Sequence, residues 1–214
     1  TTAPLIRKIL NDKRVTENTQ QLTVVPEGYV GIYTKEDLLA IGKRGGPDGV
    51  PTKFILMSDI TFTEDEILSY LSKRKGLLDG VCITGGEPLL QAGITDFIKK
   101  IKALGYAVKL DTNGCFPEKL KELLDSGLVD YVAMDIKNSK EKYSLTCGVC
   151  VDIAAIERSV ELLKKGKVDY EFRTTVVREY HTAEDIVEIS EWIAGAKRYF
   201  LQGFVDSGNL IGSG

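Results

Sequence analysis

The sequence has 214 residues, of which 43% are hydrophobic and 28% are charged, as in an ordinary soluble globular protein with one well-buried core. The formal net charge of −3 gives no reason to expect a nucleic-acid or membrane-surface partner, and no apolar run approaches the roughly 18 residues that a membrane span needs. Four cysteines are too few for a disulfide scaffold and no signal-peptide pattern is evident, so we expect a cytoplasmic protein.

Residues 1–52 are the least regular part of the sequence, and we predict an N-terminal segment of unknown role. Within it, Thr34 and Asp37 have the spacing of a helix start, and Lys43–Gly49 has the composition of a loop. A regular pattern begins at Lys53. We therefore expect the main domain to span residues 53–214.

From Lys53 onward, short apolar runs alternate with amphipathic helical patterns. The predicted strands are Lys53–Met57, Gly80–Thr84, Ala107–Leu110, Tyr131–Asp135, Tyr170–Val177 and Arg198–Gly203. The predicted helices are residues 63–74, Ile94–Leu104, Pro117–Ser126, Asp152–Lys165 and Ala183–Ala194. This alternation predicts an α/β fold with parallel strands joined by right-handed crossovers. Six strands favour a partial parallel (β/α)6 barrel over a complete eight-stranded one.

The stretch Val81–Leu90, VCITGGEPLL, combines a buried strand with a polar turn. Gly85 and Gly86 end the strand with two residues that lack a Cβ, so a ligand can approach the main chain closely. Glu87 follows at the carboxyl end of the strand, where α/β folds bind ligands, and a carboxylate there suits the ammonium of an amino acid. A simple Gly-Gly turn with a solvated Glu87 is the alternative that local spacing leaves open.

Further polar side chains end the later strands. They are Asp111 and Thr112 of the DTNG turn, Asp135 and Lys137 after the next strand, and Arg173 on the strand after that. Because the carboxyl ends of parallel strands meet at one edge of the sheet, we expect these groups to surround one mouth together with Glu87. Paired acidic and basic groups would match a substrate that bears both an ammonium and a carboxylate.

Residues 77–211 resemble the radical S-adenosylmethionine (SAM) enzymes. More narrowly, they are similar to the activating proteins of glycyl-radical enzymes, and among those to the anaerobic ribonucleoside-triphosphate reductase activating proteins. The motifs that carry the resemblance are LLDGVCITGGEPLLQ, KLDTNGCFPEKLKELL, VDYVAMDIKNSKEKYSLTCG, FRTTVV and KRYFLQGF. The combination is highly specific, whereas GGEP is the one motif that is informative by itself.

This resemblance implies an iron–sulfur enzyme that reductively cleaves SAM to methionine and a 5′-deoxyadenosyl radical. That radical would abstract hydrogen from a backbone glycine of an anaerobic ribonucleotide reductase, with flavodoxin or ferredoxin as electron donor. The resemblance also implies residue roles. Gly85, Gly86 and Glu87 would bind the methionyl amino group, and Asp111 and Lys137 would complete the amino-acid end of SAM, with Arg173 near it. Asp111, Thr112 and Asp135 match positions that hold a monovalent cation in a related activating enzyme.

The sequence departs from the family at the iron–sulfur cluster. The family signature is a CxxxCxxC loop after the first strand, whose three thiolates bind a four-iron–four-sulfur cluster. No such triplet occurs here, and by position it belongs near Leu56–Ser58. We hypothesise that a cysteine-bearing segment of about 15–30 residues is omitted there, which predicts a chain break within Leu56–Asp59. The alternative is a chain that cannot build the cluster.

The cysteines that are present offer few other ligands. Cys147 and Cys150 form a CxxC motif, which can bind metal or act as a redox pair, and a three-thiolate site with Cys115 is conceivable. The remaining residues of interest have structural interpretations: Cys82 and Trp192 as core residues, and His181 as a surface loop residue ahead of the Thr182 helix N-cap.

Two other functions stay open at this point. One keeps the radical chemistry but acts on a small molecule, as in deazaguanine-type ring-forming enzymes. The other is a cluster-less relative that binds SAM or a nucleotide as a sensor or scaffold. The iron and sulfide content of anaerobically purified protein separates the cluster-less relative from the two enzymes.

Overall fold

The computed structural model describes residues 29–32, 53–56 and 62–204. The described part of the chain divides into two compact units, with the boundary between residues 67 and 68. In the first unit, β1 (Tyr29–Ile32) pairs in parallel with β2 (Lys53–Leu56). β2 matches a predicted strand. β1 has no counterpart in the prediction, because four residues that include a glycine show no clear alternation.

Helix α1 (Glu64–Ser72) begins with the predicted capping box. The backbone N–H of Thr63 donates to the Glu66 carboxylate at 2.8 Å, and the backbone N–H of Glu66 donates to Thr63 Oγ1 at 3.2 Å. These reciprocal hydrogen bonds satisfy backbone donors that the first helical turn leaves without intrahelical partners.

The larger unit contains a five-stranded parallel sheet in the order β3-β4-β5-β6-β7. The strands are β3 (Gly80–Ile83), β4 (Ala107–Thr112), β5 (Tyr131–Asp135), β6 (Asp169–Val176) and β7 (Tyr199–Gly203). The helices that follow β3 to β6 are α2 (Ile94–Ala103), α3 (Pro117–Asp125), α4 (Tyr143–Cys147), α5 (Ile153–Lys164) and α6 (Ala183–Trp192). Neighbouring strands are consecutive in the chain and joined through helices. This is an α/β fold consistent with a partial (β/α) barrel, as the sequence predicts.

The two faces of this sheet differ in polarity. One face is apolar and buried, with the side chains of Val81, Ile83, Val108, Leu110, Val132, Met134, Tyr170 and Phe172. The opposite face carries half-buried polar side chains: Cys82, Lys109, Asp111, Asp135 and Arg173. Because side chains alternate along a strand and the register is in step across the sheet, each strand contributes to both faces. The polar face therefore leads directly to the carboxyl edge of the strands.

Five of the six predicted strands lie in this sheet, and the remaining one, β2, pairs with β1. Two short helical segments were beyond prediction, the 3-10 turn Pro88–Leu90 and α4, because segments this short show no periodicity. No helix in the described part of the chain is both long and apolar enough to cross a membrane. The predicted helix start at Thr34, the loop Lys43–Gly49 and the predicted chain break after Leu56 lie outside the described residues. The division at residue 53 stays a prediction.

Candidate functional site

The turn after β3 presents bare backbone at the carboxyl edge of the sheet. Gly85 and Gly86 both have a positive φ, 100° and 41°, which L-residues with side chains rarely adopt. A Cβ added at Gly86 would meet no heavy atom within 4 Å. The space beside the main chain is thus open, which is what a ligand needs in order to approach the backbone.

Glu87 follows this turn and is fixed by three donors from two loops. The residue is only 7% exposed, so the alternative of a solvated glutamate is wrong. Oε1 accepts the Leu89 N–H at 3.0 Å, Oε2 accepts the Asn113 N–H at 2.7 Å, and the Thr112 hydroxyl lies 3.0 Å from both oxygens. A carboxylate offers about four lone-pair sites, so capacity for one further donor is left.

The charge on Glu87 is held at an energetic cost. Burial raises the pKa of the Glu87 carboxyl above its usual range, and the Asp135 charge adds to this rise, although the donors from Asn113, Leu89 and Thr112 oppose it. A cation placed beside Glu87 would stabilise the charged form and lower the pKa again. The arrangement therefore favours a cationic group as the fourth partner.

Five charged side chains form a continuous chain of ion pairs on the polar face. Arg173 lies at its centre, with Nη2 2.9 Å and Nε 3.1 Å from Asp135 Oδ1, and Nη1 3.3 Å from Asp111 Oδ2. Lys137 donates to Asp135 Oδ2 at 3.0 Å, and the Lys109 ammonium donates to Asp111. The register places Asp135 directly opposite Arg173. Asp111, Asp135, Lys137 and Arg173 are thus brought together as predicted. Lys109 was missed, although it lies two residues before Asp111 and hence on the same face.

Asp111 and Asp135, the two acids among these ion pairs, already have cationic side chains as partners. Burial opposes ionisation of Asp111, but Lys109 and Arg173 outweigh it and hold the pKa of the Asp111 carboxyl below its usual range. The Thr112 hydroxyl bonds to Glu87. The monovalent-cation site at Asp111, Thr112 and Asp135 stays a prediction.

The thiols do not converge on a metal site in the described part of the chain. Cys115 and Cys147 are half-buried, Cys150 is exposed, and no group of three or more His, Cys, Asp or Glu side chains among the described residues is placed to hold a metal ion. The conceivable three-thiolate site is therefore not formed. Burial raises the pKa of the Cys115 and Cys147 thiols, which disfavours the thiolate that binds metal.

Cys82 and Trp192 differ from their predicted core positions. Cys82 is half-buried on the polar face, with its Sγ 3.7 Å from Asp111 Oδ1, because its neighbours Val81 and Ile83 occupy the apolar face. Trp192 is half-buried and packs edge-on against Tyr143 at 6.1 Å between ring centroids. Cys82 thus borders the candidate site rather than the core.

His181, the single histidine of the sequence, was assigned to the surface, and that assignment is wrong. It is 8% exposed, because the loop after β6 turns back so that the N–H groups of Tyr180 and His181 donate to the Val177 carbonyl. Its Nε2 lies 2.8 Å from the Lys137 carbonyl oxygen. One histidine in a polar loop shows no periodicity, so the sequence carries no signal for this contact. The helix N-cap at Thr182 is confirmed.

Comparison with known proteins identifies the family to which this chain belongs. Residues 28–193, well over half of the chain, match the Radical SAM superfamily. The chain belongs to the radical SAM superfamily. Members of this superfamily are enzymes, and membership implies SAM and a four-iron–four-sulfur cluster as cofactors.

Two relatives of this radical SAM chain have names that state different activities. A protein of Methanocaldococcus jannaschii, provisionally named a glycyl-radical enzyme activating enzyme, is 34% identical over 157 residues, which are 71% of this chain and 65% of the relative. The 7-carboxy-7-deazaguanine synthase of Thermoplasma acidophilum is 29% identical over 121 residues, 55% of this chain and 56% of the relative. The chain spans less than two thirds of the length of these relatives.

A similar fold occurs in a solved structure of much lower sequence identity. The crystal structure of SuiB from Streptococcus suis is 15% identical, with a TM-score of 0.56 over 68% of this chain and 34% of that chain. At this level of identity the similarity is one of fold.

The residues present fit one of the two implied cofactors. For SAM, open backbone at Gly86, a buried carboxylate at Glu87 and the ammonium of Lys137 offer complementary groups to a zwitterionic amino acid. For the cluster, the sequence has no CxxxCxxC triplet and the described residues hold no group of three metal ligands. The residues present therefore do not fit a four-iron–four-sulfur cluster.

Proposed function

We propose that this chain is a glycyl-radical enzyme activating enzyme that acts on an anaerobic ribonucleotide reductase. The 34% identical relative supports an activating enzyme, and the motifs VDYVAMDIKNSKEKYSLTCG and KRYFLQGF support the ribonucleotide reductase class as partner. The overall reaction would be reductive cleavage of SAM to methionine and a 5′-deoxyadenosyl radical, followed by hydrogen abstraction from a backbone glycine of the partner. Flavodoxin or ferredoxin is the proposed source of the electron.

The observation that carries the proposal is the environment of Glu87. Its carboxylate is buried, accepts from three donors and has a raised pKa, and none of the described residues forms an ion pair with it. The methionyl ammonium of SAM would supply the missing positive charge. In this proposal Gly85 and Gly86 let the amino acid lie against the backbone. Lys137 faces its carboxylate, while Asp111 and Arg173 fix the adjoining charges.

The cluster requires residues that this sequence lacks. We propose that the full gene encodes a cysteine-bearing segment of about 15–30 residues between Leu56 and Ser58. Sequencing the gene across this join tests the idea directly. A continuous reading frame without the segment would contradict it and would favour a cluster-less protein.

A radical SAM enzyme with a small-molecule substrate is the second candidate. It is supported by the similarity to a 7-carboxy-7-deazaguanine synthase over 55% of this chain. The SAM site would be the same in both candidates. They differ in the acceptor of the radical, which is a polypeptide glycine in the first and a small ring-forming substrate in the second.

Anaerobic assays separate these candidates. The purified protein is analysed for iron and acid-labile sulfide, then incubated with SAM, dithionite and anaerobic ribonucleoside-triphosphate reductase. We expect 5′-deoxyadenosine and the electron paramagnetic resonance doublet of a glycyl radical on the reductase. 5′-Deoxyadenosine without a radical on the reductase would favour the small-molecule enzyme. Absence of iron and sulfide in protein expressed from the full gene would contradict both enzymes.

A further inference from the structure

Two buried side chains hold the backbone of the segment from Asp135 to Lys137. The hydroxyl of Tyr143, a residue that is 1% exposed, donates to the Asp135 carbonyl oxygen at 3.4 Å. The Lys137 carbonyl oxygen lies 2.8 Å from Nε2 of His181. The Lys137 side chain is 39% exposed, and its Nζ lies 3.0 Å from Asp135 Oδ2. A partly exposed side chain therefore extends from a backbone position that buried groups hold.

The surroundings of His181 define which ring nitrogen carries the proton. The Lys137 carbonyl oxygen can only accept, so Nε2 must donate to it. Nδ1 lies 3.2 Å from both the nitrogen and the carbonyl oxygen of Val177, and that carbonyl also accepts from the Tyr180 and His181 N–H groups. The Lys137 carbonyl thus fixes a proton on Nε2, and Nδ1 faces the Val177 peptide. The Nε2 hydrogen bond thus joins the loop after β5 to the loop after β6, whereas the Nδ1 contact with Val177 lies within the loop after β6.

A second buried side chain, the amide of Asn138, connects the same two loops. The Asn138 side chain is fully buried and donates to Thr146 Oγ1 at 2.8 Å and to the Tyr180 carbonyl oxygen at 2.9 Å. Its oxygen accepts the Ser139 N–H at 2.7 Å. Since Asn138 keeps the loops together without touching Lys137 through its side chain, the role left to His181 is specific to the Lys137 peptide.

We propose that His181 is a positioning residue for the SAM site, acting through its Nε2–H bond to the Lys137 carbonyl. This bond fixes the point from which the Lys137 ammonium reaches Asp135 and the carboxylate of a bound amino acid. The SAM part of this inference rests on the proposed function. His181 does not touch the substrate, and its effect passes entirely through Lys137.

Two isosteric substitutions separate the two hydrogen bonds. The side-chain nitrogen of glutamine reaches the position of Nε2, whereas that of asparagine reaches only the position of Nδ1. We expect His181→Gln to keep SAM affinity, measured by calorimetry on anaerobically purified protein, within about two-fold of the native value. We expect His181→Asn to weaken it about five-fold or more, the loss of one hydrogen bond of roughly 1 kcal/mol. Equal affinities for the two variants would overturn the proposal.

A double substitution distinguishes positioning from a general structural role. In the Lys137→Met background the ammonium is gone, so adding His181→Asn should weaken SAM binding no further. A purely structural histidine would instead give additive losses. Additive losses would therefore also overturn the proposal.

Amide hydrogen exchange gives a readout that does not depend on SAM. In the ligand-free protein, exchange at residues 136–139 should speed up several-fold in His181→Asn and stay near native rates in His181→Gln. If native protein fails to bind SAM, the proposed function fails, and this comparison alone decides whether His181 holds Lys137. Unchanged exchange in His181→Asn would show that it does not.

Discussion

The hydroxyl of Thr112 lies 3.0 Å from both carboxylate oxygens of Glu87, although 25 residues separate the two in the chain. Glu87 belongs to the loop after β3, and Thr112 is the last residue of β4. Because these strands are parallel neighbours, their carboxyl ends meet at one edge. The contact fixes an acidic side chain that burial would otherwise push towards its neutral form.

Replacing Glu87 with glutamine removes the negative charge but keeps nearly the same side-chain shape, so it tests the contribution of the charge to SAM binding. We expect Glu87→Gln to weaken SAM binding roughly ten-fold or more, because a charge-assisted hydrogen bond contributes about 1.5–3 kcal/mol. The free energy of unfolding should change by less than about 2 kcal/mol. Removing the buried charge should stabilise the folded protein, whereas the new NH2 group faces one of the three donors and should destabilise it. The two effects partly cancel. Calorimetry with SAM and urea unfolding measure the two effects.

The control for Glu87→Gln is Glu118→Gln, which removes the same charge from a side chain that is 82% exposed. It should leave SAM affinity unchanged. Equal affinity of native protein and Glu87→Gln would remove Glu87 from the binding site.

Gly86 and Gly127 form a matched pair for testing the open backbone. Both have a positive φ, 41° and 65°, and at both an added Cβ would meet no heavy atom within 4 Å. Gly127 lies between α3 and β5, at the opposite edge of the sheet. Alanine at either position should lower the free energy of unfolding by about 1–2 kcal/mol through backbone strain.

The two alanine variants should differ in ligand binding. Gly86→Ala should weaken SAM binding several-fold, because its methyl group fills space that the amino-acid end of SAM would occupy. Gly127→Ala should bind SAM as the native protein does. The assignment of Gly86 to the SAM site does not survive if both variants bind equally well.

Arg173 should be the stabilising centre of the ion-pair chain. Arg173→Met leaves Asp111 and Asp135 without their shared cation, and we expect a loss of about 1–3 kcal/mol in unfolding free energy. The loss should be smaller than that for fully buried pairs, because these carboxylates are 17% and 31% exposed. Arg173→Lys should give an intermediate loss, since one ammonium cannot match the guanidinium fork that contacts both acids.

The exposed pair between Lys167 and Asp125 serves as the control for Arg173. Lys167→Met should change the unfolding free energy by less than about 0.5 kcal/mol, the usual range for surface pairs. A loss of similar size in Lys167→Met and Arg173→Met would show that the ion pairs on the polar face stabilise the protein no more than a surface pair does.

Structural features of this protein can be predicted when the residue pattern that indicates them extends over many positions of the sequence. The five strands of the main sheet are recognisable because each apolar run lies next to a helical pattern, and the strand ends follow from that alternation. Glu87, Asp111, Asp135 and Arg173 could be grouped from topology alone. The contacts that complete the site could not, because Lys109 looks like an ordinary strand residue and His181 like a loop residue. Their roles depend on which face a strand presents and on how one loop folds back, and both are tertiary properties.

Asp185 should be responsible for part of the stability that the protein loses in acid. Its carboxylate is 2% exposed and accepts from the Lys142 ammonium at 2.8 Å and from the Thr182 N–H at 2.8 Å. The Lys142 hydrogen bond, opposed by burial and aided by Thr182, lowers the pKa of Asp185 to about 2. A carboxyl with a depressed pKa in the folded state stabilises it above the unfolded pKa, near about 3.9. That contribution is lost as the pH falls through the folded pKa. The unfolding free energy should therefore fall between about pH 4 and about pH 2, and fall less steeply in Asp185→Asn.

The effect of salt on stability in acid should differ between the buried Asp185 and the exposed Asp125, which has a similar pKa. Lys121 and Lys167 lower the pKa of Asp125 to about 2 as well, but that side chain is 37% exposed. Raising the ionic strength to about 1 M shortens the screening length to about 3 Å. It should largely remove the acid dependence due to Asp125 while leaving most of that due to Asp185. Urea unfolding of native protein, Asp125→Asn and Asp185→Asn at low and high salt measures the difference. If salt removed the contributions of both acids equally, the Asp185–Lys142 pair would be a solvent-screened surface contact.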